Sequence, residues 1–261
     1  MQKLRVAFKY IKHQARAFNR HGIHSPFVYD FLEQVLYADE ATGEFGEFSS
    51  LKNQLLSDNR EIEITDLGAG STINSSNTRL VKDIAKNSSK HSKYGRLFYR
   101  MVQYFNPDTV IELGTSLGLS TIYFSKANPK TPVYTLEGCP ETQAIAKQNF
   151  TNLNLQNITP ILGDFQITLP ELLLKTKKAD MVFYDGNHQE EPTLDYFEEC
   201  LKFSHEKSIF IFDDIHWSKG MTKAWRKIKG HPKTVVTLDL FFVGIVFFDS
   251  RLTKQNFLIR F

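Results

Sequence analysis

The sequence predicts an α/β fold: a seven-stranded, mostly parallel sheet with an antiparallel last strand, plus a helical N-terminal extension. Two observations predict it. From Thr109 onward, short β-branched or aromatic runs alternate with longer helical patterns, as repeated βαβ units do. The last two runs are separated only by residues 241–243, too few for a crossover helix, so these two strands should form an antiparallel hairpin.

The predicted strands contain few charged residues, which suits a sheet covered on both faces. In chain order they are TVIEL, PVYTLE, ITPIL, ADMVFYD, SIFIFDD, TVVTLDL and GIVFF. Helices should begin near Gly118, Pro140, Gln166, Pro192 and Lys219. A further helix from about Lys93 to Phe105 should lead into the first strand. We place the sheet domain at residues 93–261 and the helical extension and lid at 1–92.

Composition points to a globular protein. The chain has 261 residues, of which 41% are hydrophobic and 23% charged. Its longest apolar runs, such as LFFVGIVFF, fall well short of the roughly 20 residues that cross a bilayer, so no transmembrane segment is expected. The N-terminus lacks the pattern of a secretory signal, and Cys139 and Cys200 form no CxxC pair. We therefore expect a cytoplasmic location.

The first twenty residues predict a basic amphipathic helix. Its apolar residues recur at helical spacing: Leu4, Ala7, Phe8, Ile11, Ala15 and Phe18. Such a helix could pack on the rest of the chain or on a second subunit, touch an anionic membrane, or contact RNA. Packing, with a lid role over the substrate, is favoured. A net charge of +3 does not demand a polyanionic partner, so nucleic acid is not expected, and a homodimer through the N-terminal helices stays open.

The next helix carries a start signal. In the segment HGIHSPFVYDFLEQVL, Ser25 is expected to be the N-cap and Pro26 the first helical residue.

The run VIELGTSLGLS joins a predicted strand to a predicted helix. Gly114 and Gly118 fall in the turn, where glycine lets the backbone approach a ligand closely. The next strand ends in Glu137, 25 residues after Glu112. An acidic side chain at that strand end can accept hydrogen bonds from ribose hydroxyls.

Acidic residues recur at the ends of the next two strands. Asp164 follows the third strand and could accept a hydrogen bond from an adenine amino group, with Phe165 as a stacking wall, and Asp185 ends the fourth. A coincidental series of helix-capping acids would give the same pattern. The cofactor-binding candidates are Glu112, Gly114, Thr115, Ser116, Gly118, Ser120, Glu137, Gly138, Asp164, Phe165 and Asp185.

A second glycine-rich segment, ITDLGAGS at residues 64–71, also resembles a cofactor loop. No strand ending in an acid follows about 25 residues later, as the dinucleotide-binding pattern requires. We interpret Asp66 to Ser71 as a turn or a lid element.

The segments ELGTSLGLS, LEGCP, GDFQITLP, MVFYDGNH and FDDIHW resemble the successive motifs of the catechol O-methyltransferase-like group of class I methyltransferases, over about residues 93–249. The resemblance implies a Rossmann-like sheet, S-adenosylmethionine as cofactor and methyl transfer rather than hydride chemistry. It favours O-methylation of a small hydroxylated molecule. Methylation of tRNA or another macromolecule, or a catalytically silent cofactor-binding module, remain alternatives.

The resemblance also implies a metal site. Metal-dependent members of that group hold Mg²⁺ with an Asp after the fourth strand and an Asp-Asn pair after the fifth. Asp185 and the pair Asp213–Asp214 show the same 28-residue interval, with Asp214 in place of Asn. The alternative is that Asp213 caps a helix and Asp214 binds substrate. His188 occupies the position of the group's lysine base and could accept a hydroxyl proton.

Overall fold

The architecture is taken from a computed structural model, which describes residues 2–38, 45–65, 78–88 and 92–261. In this part of the chain the helices are α1 Gln2–Arg16, α2 Pro26–Phe31, α3 Gly46–Leu56, α4 Val81–Ser88, α5 Ser92–Phe105, α6 Leu119–Ala127, α7 Pro140–Asn152, α8 Phe165–Thr176, α9 Glu190–Leu201 and α10 Lys219–Gly230. A 3₁₀ turn, Arg20–Gly22, and a π-helical turn, Leu32–Leu36, flank α2.

The strands are β1 Glu61–Glu63, β2 Thr78–Leu80, β3 Val110–Leu113, β4 Val133–Glu137, β5 Ile158–Leu162, β6 Met181–Tyr184, β7 Ile209–Asp213, β8 Val236–Asp239, β9 Val243–Phe247 and β10 Gln255–Leu258. The chain forms two compact units: a split unit, Met1–Leu36 with Pro170–Phe261, and a middle unit, Tyr37–Leu169. The predicted boundary between residues 92 and 93 stays a prediction.

In the split unit the strands pair in the order β10, β8, β9, β7 and β6. β6 and β7 are parallel, as are β8 and β10, whereas β9 runs antiparallel to both of its neighbours, β7 and β8. The hairpin closes through the amide of Leu240, which donates to the carbonyl of Val243 at 2.9 Å. The expected antiparallel strand is thus found inserted between β7 and β8.

In the middle unit β3, β4 and β5 pair in parallel in that order, and every residue of β3 is buried. All seven predicted strands occur, and the α/β fold class is confirmed. The structure adds β10 at an edge of the split unit's strands and a short antiparallel pair, β1–β2, neither of which was expected.

The frequent phenylalanines build much of the core of the split unit. Phe210 and Phe212 of β7 are fully buried, and the ring of Phe212 stacks on Tyr184 at a centroid distance of 4.3 Å. Gly244 in β9 leaves the space that the indole of Trp225 fills, since a Cβ at this glycine would collide with the ring. The sheet face under α10 is therefore shaped around one tryptophan.

The N-terminal helix α1 packs within the split unit, but not through its apolar stripe. Its inner side carries His13, which is buried, and Lys9, which donates a hydrogen bond to the Thr222 hydroxyl at 3.0 Å. Phe8 and Ile11 are instead 70% and 66% exposed. An amphipathic helix is expected to bury its apolar stripe. In α1 the side that the sequence periodicity predicts to be buried is therefore not the side that packs in the structure.

The start of α2 matches its sequence signals. Ser25 caps α2, accepting a hydrogen bond from the amide of Val28, and Pro26 is the first helical residue, as predicted. Among the described helices, none is both long and apolar enough to cross a membrane.

Candidate active site

The glycine-rich turn of residues 114–118 leads from β3 into α6 with a backbone that needs glycine. Gly114 and Gly118 have φ values of 104° and 81°, in the left-handed region, and Gly118 is the N-cap of α6. A Cβ at Gly118 would collide with the ring of Phe150. Ser116 also has a positive φ, 48°. The turn therefore has one tightly specified shape, with the start of α6 behind it.

Glu112, at the end of β3, stabilises this turn through side-chain hydrogen bonds. Its buried carboxylate accepts hydrogen bonds from the hydroxyls of Ser120, Thr121 and Thr135. These donors lie on α6 and β4, so the carboxylate joins both elements to β3. Thr115 adds a further bond to the Thr135 hydroxyl, 2.6 Å long. The structure gives Glu112 a positioning contact, and its direct contact with a cofactor stays a prediction.

Glu137, at the end of β4, is held beside the same turn by backbone amides. Its Oε2 accepts from Ser116 N at 2.7 Å and its Oε1 from Cys139 N at 2.9 Å. Burial raises the pKa of Glu137, and these hydrogen bonds only partly oppose the effect. The Gly138 amide and the Thr142 side chain add to these bonds, and a carboxylate oxygen with lone-pair capacity left can also accept a hydroxyl group. Gly138, between the two, contributes its backbone to this bend.

Asp164 and Phe165 open α8 in the middle unit. Gly163, with a φ of 143°, donates its amide to the carbonyl of Glu137 at 2.9 Å, which brings the end of β5 against β4. Asp164 Oδ1 accepts from the amide of Gln166 at 2.8 Å. The helix-capping alternative raised by the sequence is therefore realised at Asp164. Its Oδ2 takes no part in that bond, so capping and cofactor contact are compatible.

A second cluster lies in the split unit, after β6 and β7. One ligand atom each from Asp185, His188 and Asp213 lies within 4.8 Å of the others. His188 Nε2 is 3.7 Å from Asp185 Oδ1, and Asp213 is buried at the end of β7. One imidazole nitrogen and two carboxylates form a donor set that suits a divalent cation.

The structure thus brings two of the three predicted metal residues together and adds His188 to them. Asp214 is not a member of this group. It follows β7 with a φ of 52°, and its carbonyl accepts the amide of Trp217 at 2.9 Å. The predicted roles of Asp214 and of the other site residues stay predictions.

Asp239, at the end of β8, is a residue that the sequence argument missed. Its carboxylate lies 2.9 Å from Nε2 of His216 and accepts a hydrogen bond from Trp225 Nε1 at 3.0 Å. The signal was present, because the run TVVTLDL also carries an acid near its end. The segment Asp66 to Ser71, interpreted as a turn or lid, lies outside the described residues.

The segment that contains the glycine-rich turn and both clusters is similar to known proteins. A family model described as a methyltransferase domain matches residues 111–215. A catechol O-methyltransferase of Niastella koreensis is 29% identical over 124 residues, a match that covers 46% of this chain and 55% of that protein. The match thus spans about half the length of this curated relative.

Solved structures extend the likeness to most of the chain. An SAH-bound methyltransferase of Podospora anserina has a TM-score of 0.56 at 13% identity, covering 81% of this chain and 99% of that one. An O-methyltransferase of Bacillus cereus, solved in complex with SAH, has a TM-score of 0.54 at 17% identity, covering 85% and 97%. At such identities the likeness establishes the Rossmann-like fold.

Proposed function

We propose that this chain belongs to the catechol O-methyltransferase-like group of class I methyltransferases and that it uses S-adenosylmethionine to methylate a hydroxyl group of a small molecule. The observation that carries the proposal is the arrangement of Glu137 beside the turn 114–118. A largely buried carboxylate held by two amides, next to a glycine-shaped turn at a helix N-terminus, suits a ligand with a diol and a polar tail.

The cofactor residues take separate roles in this proposal. Glu137 accepts the ribose hydroxyls, Asp164 and Phe165 receive the adenine, and the backbone of Gly114 to Gly118 faces the rest of the ligand. Thr115, Ser120 and Glu112 keep the turn in place through the hydroxyl bonds described above. The backbone of Gly138 adds a hydrogen bond to Glu137, and Asp185, at the end of β6, stays a predicted cofactor contact. The sulfonium of the bound cofactor supplies an activated methyl group, so the protein mainly has to align the acceptor and exclude water.

The cluster of Asp185, His188 and Asp213 is proposed to prepare the acceptor hydroxyl. The three donors would hold a divalent cation, either Mg²⁺ or an ion that prefers a nitrogen ligand. A bound cation lowers the pKa of a coordinated hydroxyl. His188 could instead take the hydroxyl proton directly, with Asp185, 3.7 Å away, stabilising the imidazolium that results. Asp214, beside Asp213, is left to contact the substrate.

Titration of S-adenosylmethionine into the purified protein by calorimetry tests the cofactor site. Wild-type protein should bind in the micromolar range, and Glu137→Ala should lose that affinity. Glu141→Ala is the matched control, because Glu141 lies four residues further on and is exposed. If the wild type does not bind S-adenosylmethionine either with or without Mg²⁺, the methyltransferase proposal is wrong.

The acceptor is tested separately, by release of S-adenosylhomocysteine in the presence of small phenols, catechols and aliphatic alcohols. Turnover with a hydroxylated aromatic compound would support the proposed substrate class. Turnover only with RNA or protein would replace it by the macromolecular alternative. A cytoplasmic location and a homodimer through the N-terminal helices stay predictions of the sequence.

A further inference from the structure

The helix α1 displays an apolar face on its outer side. Phe8 is 70% and Ile11 66% exposed, and Ala15 is exposed as well. These residues are spaced at i, i+3 and i+7, so they lie along one side of the helix. We call Phe8, Ile11 and Ala15 the outer stripe. Two large adjoining apolar side chains exposed on one helix face indicate an interaction surface.

Specific contacts on the other side of α1 fix the stripe in its outward position. His13 Nε2 lies 3.0 Å from the backbone carbonyl of Asp239. Arg260 donates a hydrogen bond to the carbonyl of Gln14 at 2.8 Å. Just after the helix, Phe18 pairs in parallel with Ile259 in an isolated bridge. Because these bonds depend on the helix orientation, α1 cannot rotate to bury the outer stripe without breaking them.

Basic side chains border the outer stripe. Lys12 and Arg16 are exposed, and neither forms an ion pair with a carboxylate among the described residues. In the sequence, the first acidic residue is Asp30, while the first twenty residues carry six lysines and arginines. The surface is therefore apolar along its centre and uniformly positive at its side, so its partner must be apolar and anionic.

We propose that the outer stripe docks α1 on the surface of a bilayer that contains anionic phospholipid, with the helix axis in the membrane plane. Phe8 and Ile11 enter the boundary between headgroups and acyl chains, and Lys12 and Arg16 bind the phosphates. A helix of 15 residues is about 22 Å long, which suits a helix lying on the surface.

The same observations disfavour the other two candidate partners, a second copy of the chain and RNA. In a symmetric dimer each stripe would meet its own copy, so Lys12 and Arg16 would face like charges. An RNA partner would neutralise these charges but would leave Phe8 and Ile11 largely uncovered by phosphate contacts. An anionic lipid surface would bind both the outer stripe and the basic side chains of Lys12 and Arg16.

Co-sedimentation of the full chain with vesicles tests the proposal. We expect the protein to bind vesicles of phosphatidylcholine mixed with phosphatidylglycerol at least about tenfold more tightly than vesicles of phosphatidylcholine alone, and added salt to weaken the binding. The double variants Phe8→Ser with Ile11→Ser, and Lys12→Glu with Arg16→Glu, should each lose about tenfold or more.

Matched controls come from α8 and from exposed lysines outside α1. Ile167 and Leu174 are 62% and 68% exposed, so Ile167→Ser with Leu174→Ser removes similar apolar exposure on a different helix. Lys130→Glu with Lys207→Glu makes the same charge change at exposed lysines. Both controls should bind vesicles like the wild type.

The lipid preference of the wild-type protein decides the outcome even if a variant fails to fold. Equal binding to both kinds of vesicle, or no binding to either, would overturn the proposal. So would a doubled mass in light scattering that Phe8→Ser with Ile11→Ser abolishes, because the occupant would then be a second copy. Because vesicle binding needs neither cofactor nor turnover, this test is independent of the proposed methyl transfer.

Discussion

Nε2 of His216 lies 2.9 Å from Oδ2 of Asp239, and Nε2 of His13 lies 3.2 Å from Oδ1 of the same carboxylate. Trp225 Nε1 and the amide of Phe241 donate to it as well, each at 3.0 Å. Asp239 is only 3% exposed. One buried carboxylate therefore joins α1, the segment after β7, α10 and the β8–β9 turn.

The first prediction concerns this buried carboxylate. Asp239→Asn should lower the free energy of unfolding by about 2–4 kcal/mol at neutral pH, because it replaces an acceptor shared by several donors with an amide. Urea denaturation measures the change. In the matched control, Asp249→Asn, the carboxylate lies near the surface and pairs with an exposed arginine, so stability should change little.

The stability should also depend on pH through Asp239. Burial by itself raises its pKa, but the hydrogen bonds and charges of His13 and His216 outweigh burial and hold the pKa well below its usual range. A lowered folded-state pKa stabilises the protein above the pKa of the unfolded chain, about 4, and this stabilisation disappears as the pH falls below that value. Asp239→Asn should unfold with a weaker acid dependence. Parallel acid dependence in variant and wild type would contradict this assignment.

A second prediction links the pKa of Glu137 to ligand affinity. Burial raises this pKa, so Glu137 takes up a proton at a higher pH than a surface glutamate does. A protonated carboxyl loses acceptor capacity. Affinity for S-adenosylmethionine should therefore fall as the pH is lowered, and the fall should begin at a higher pH than the titration of a surface glutamate would give, as calorimetry can show. Glu137→Gln should bind about tenfold or more weakly at neutral pH and lose most of the pH dependence. An unchanged affinity in Glu137→Gln would remove Glu137 from the cofactor site.

The third prediction concerns the turn after β3. Gly118→Ala places a methyl group against the ring of Phe150 and forces alanine to a φ of 81°. We expect a loss of about 1–3 kcal/mol in the free energy of unfolding together with weaker cofactor binding. Gly46→Ala is the control, since nothing lies within 4 Å of a Cβ there. If both alanine variants melt and bind like the wild type, the tight shape of the turn is not required.

Local pattern was sufficient for most of the sheet and for the glycine-rich turn of residues 114–118. The alternation of apolar strands with helices located β3 to β9, and the glycine spacing located the turn between Glu112 and Gly118. These features depend on nearby residues, so periodicity and turn chemistry reveal them. The strand β10 was missed because it is short and its first two residues, Gln255 and Asn256, are polar and exposed, so pairing with β8 makes it a strand.

Contacts between residues that are distant in sequence explain the other differences between the predicted and the observed structure. The periodicity of α1 predicted a helix, but its packing face depends on His13 meeting Asp239, 226 positions away in sequence. Because this contact joins residues far apart in sequence, local patterns could not show that Asp239 connects several elements. In the cluster of Asp185, His188 and Asp213, the interval between the two aspartates indicated the two carboxylates, whereas the position of His188 depends on the course of the loop after β6.

The last prediction tests that cluster by removing one donor at a time. Asp213→Asn and His188→Gln should each weaken Mn²⁺ binding by at least about tenfold, because even groups that only support metal ligands cost that much when removed. Binding is measured by electron paramagnetic resonance of the free ion, with Asp195→Asn, at an exposed position on α9, as the control. Cofactor affinity measured without metal should stay unchanged in Asp213→Asn if this residue serves the cation alone. Mn²⁺ binding that is equal in wild type and Asp213→Asn would leave Asp213 as a buried strand-end acid, and His188 alone would then have to activate the acceptor hydroxyl.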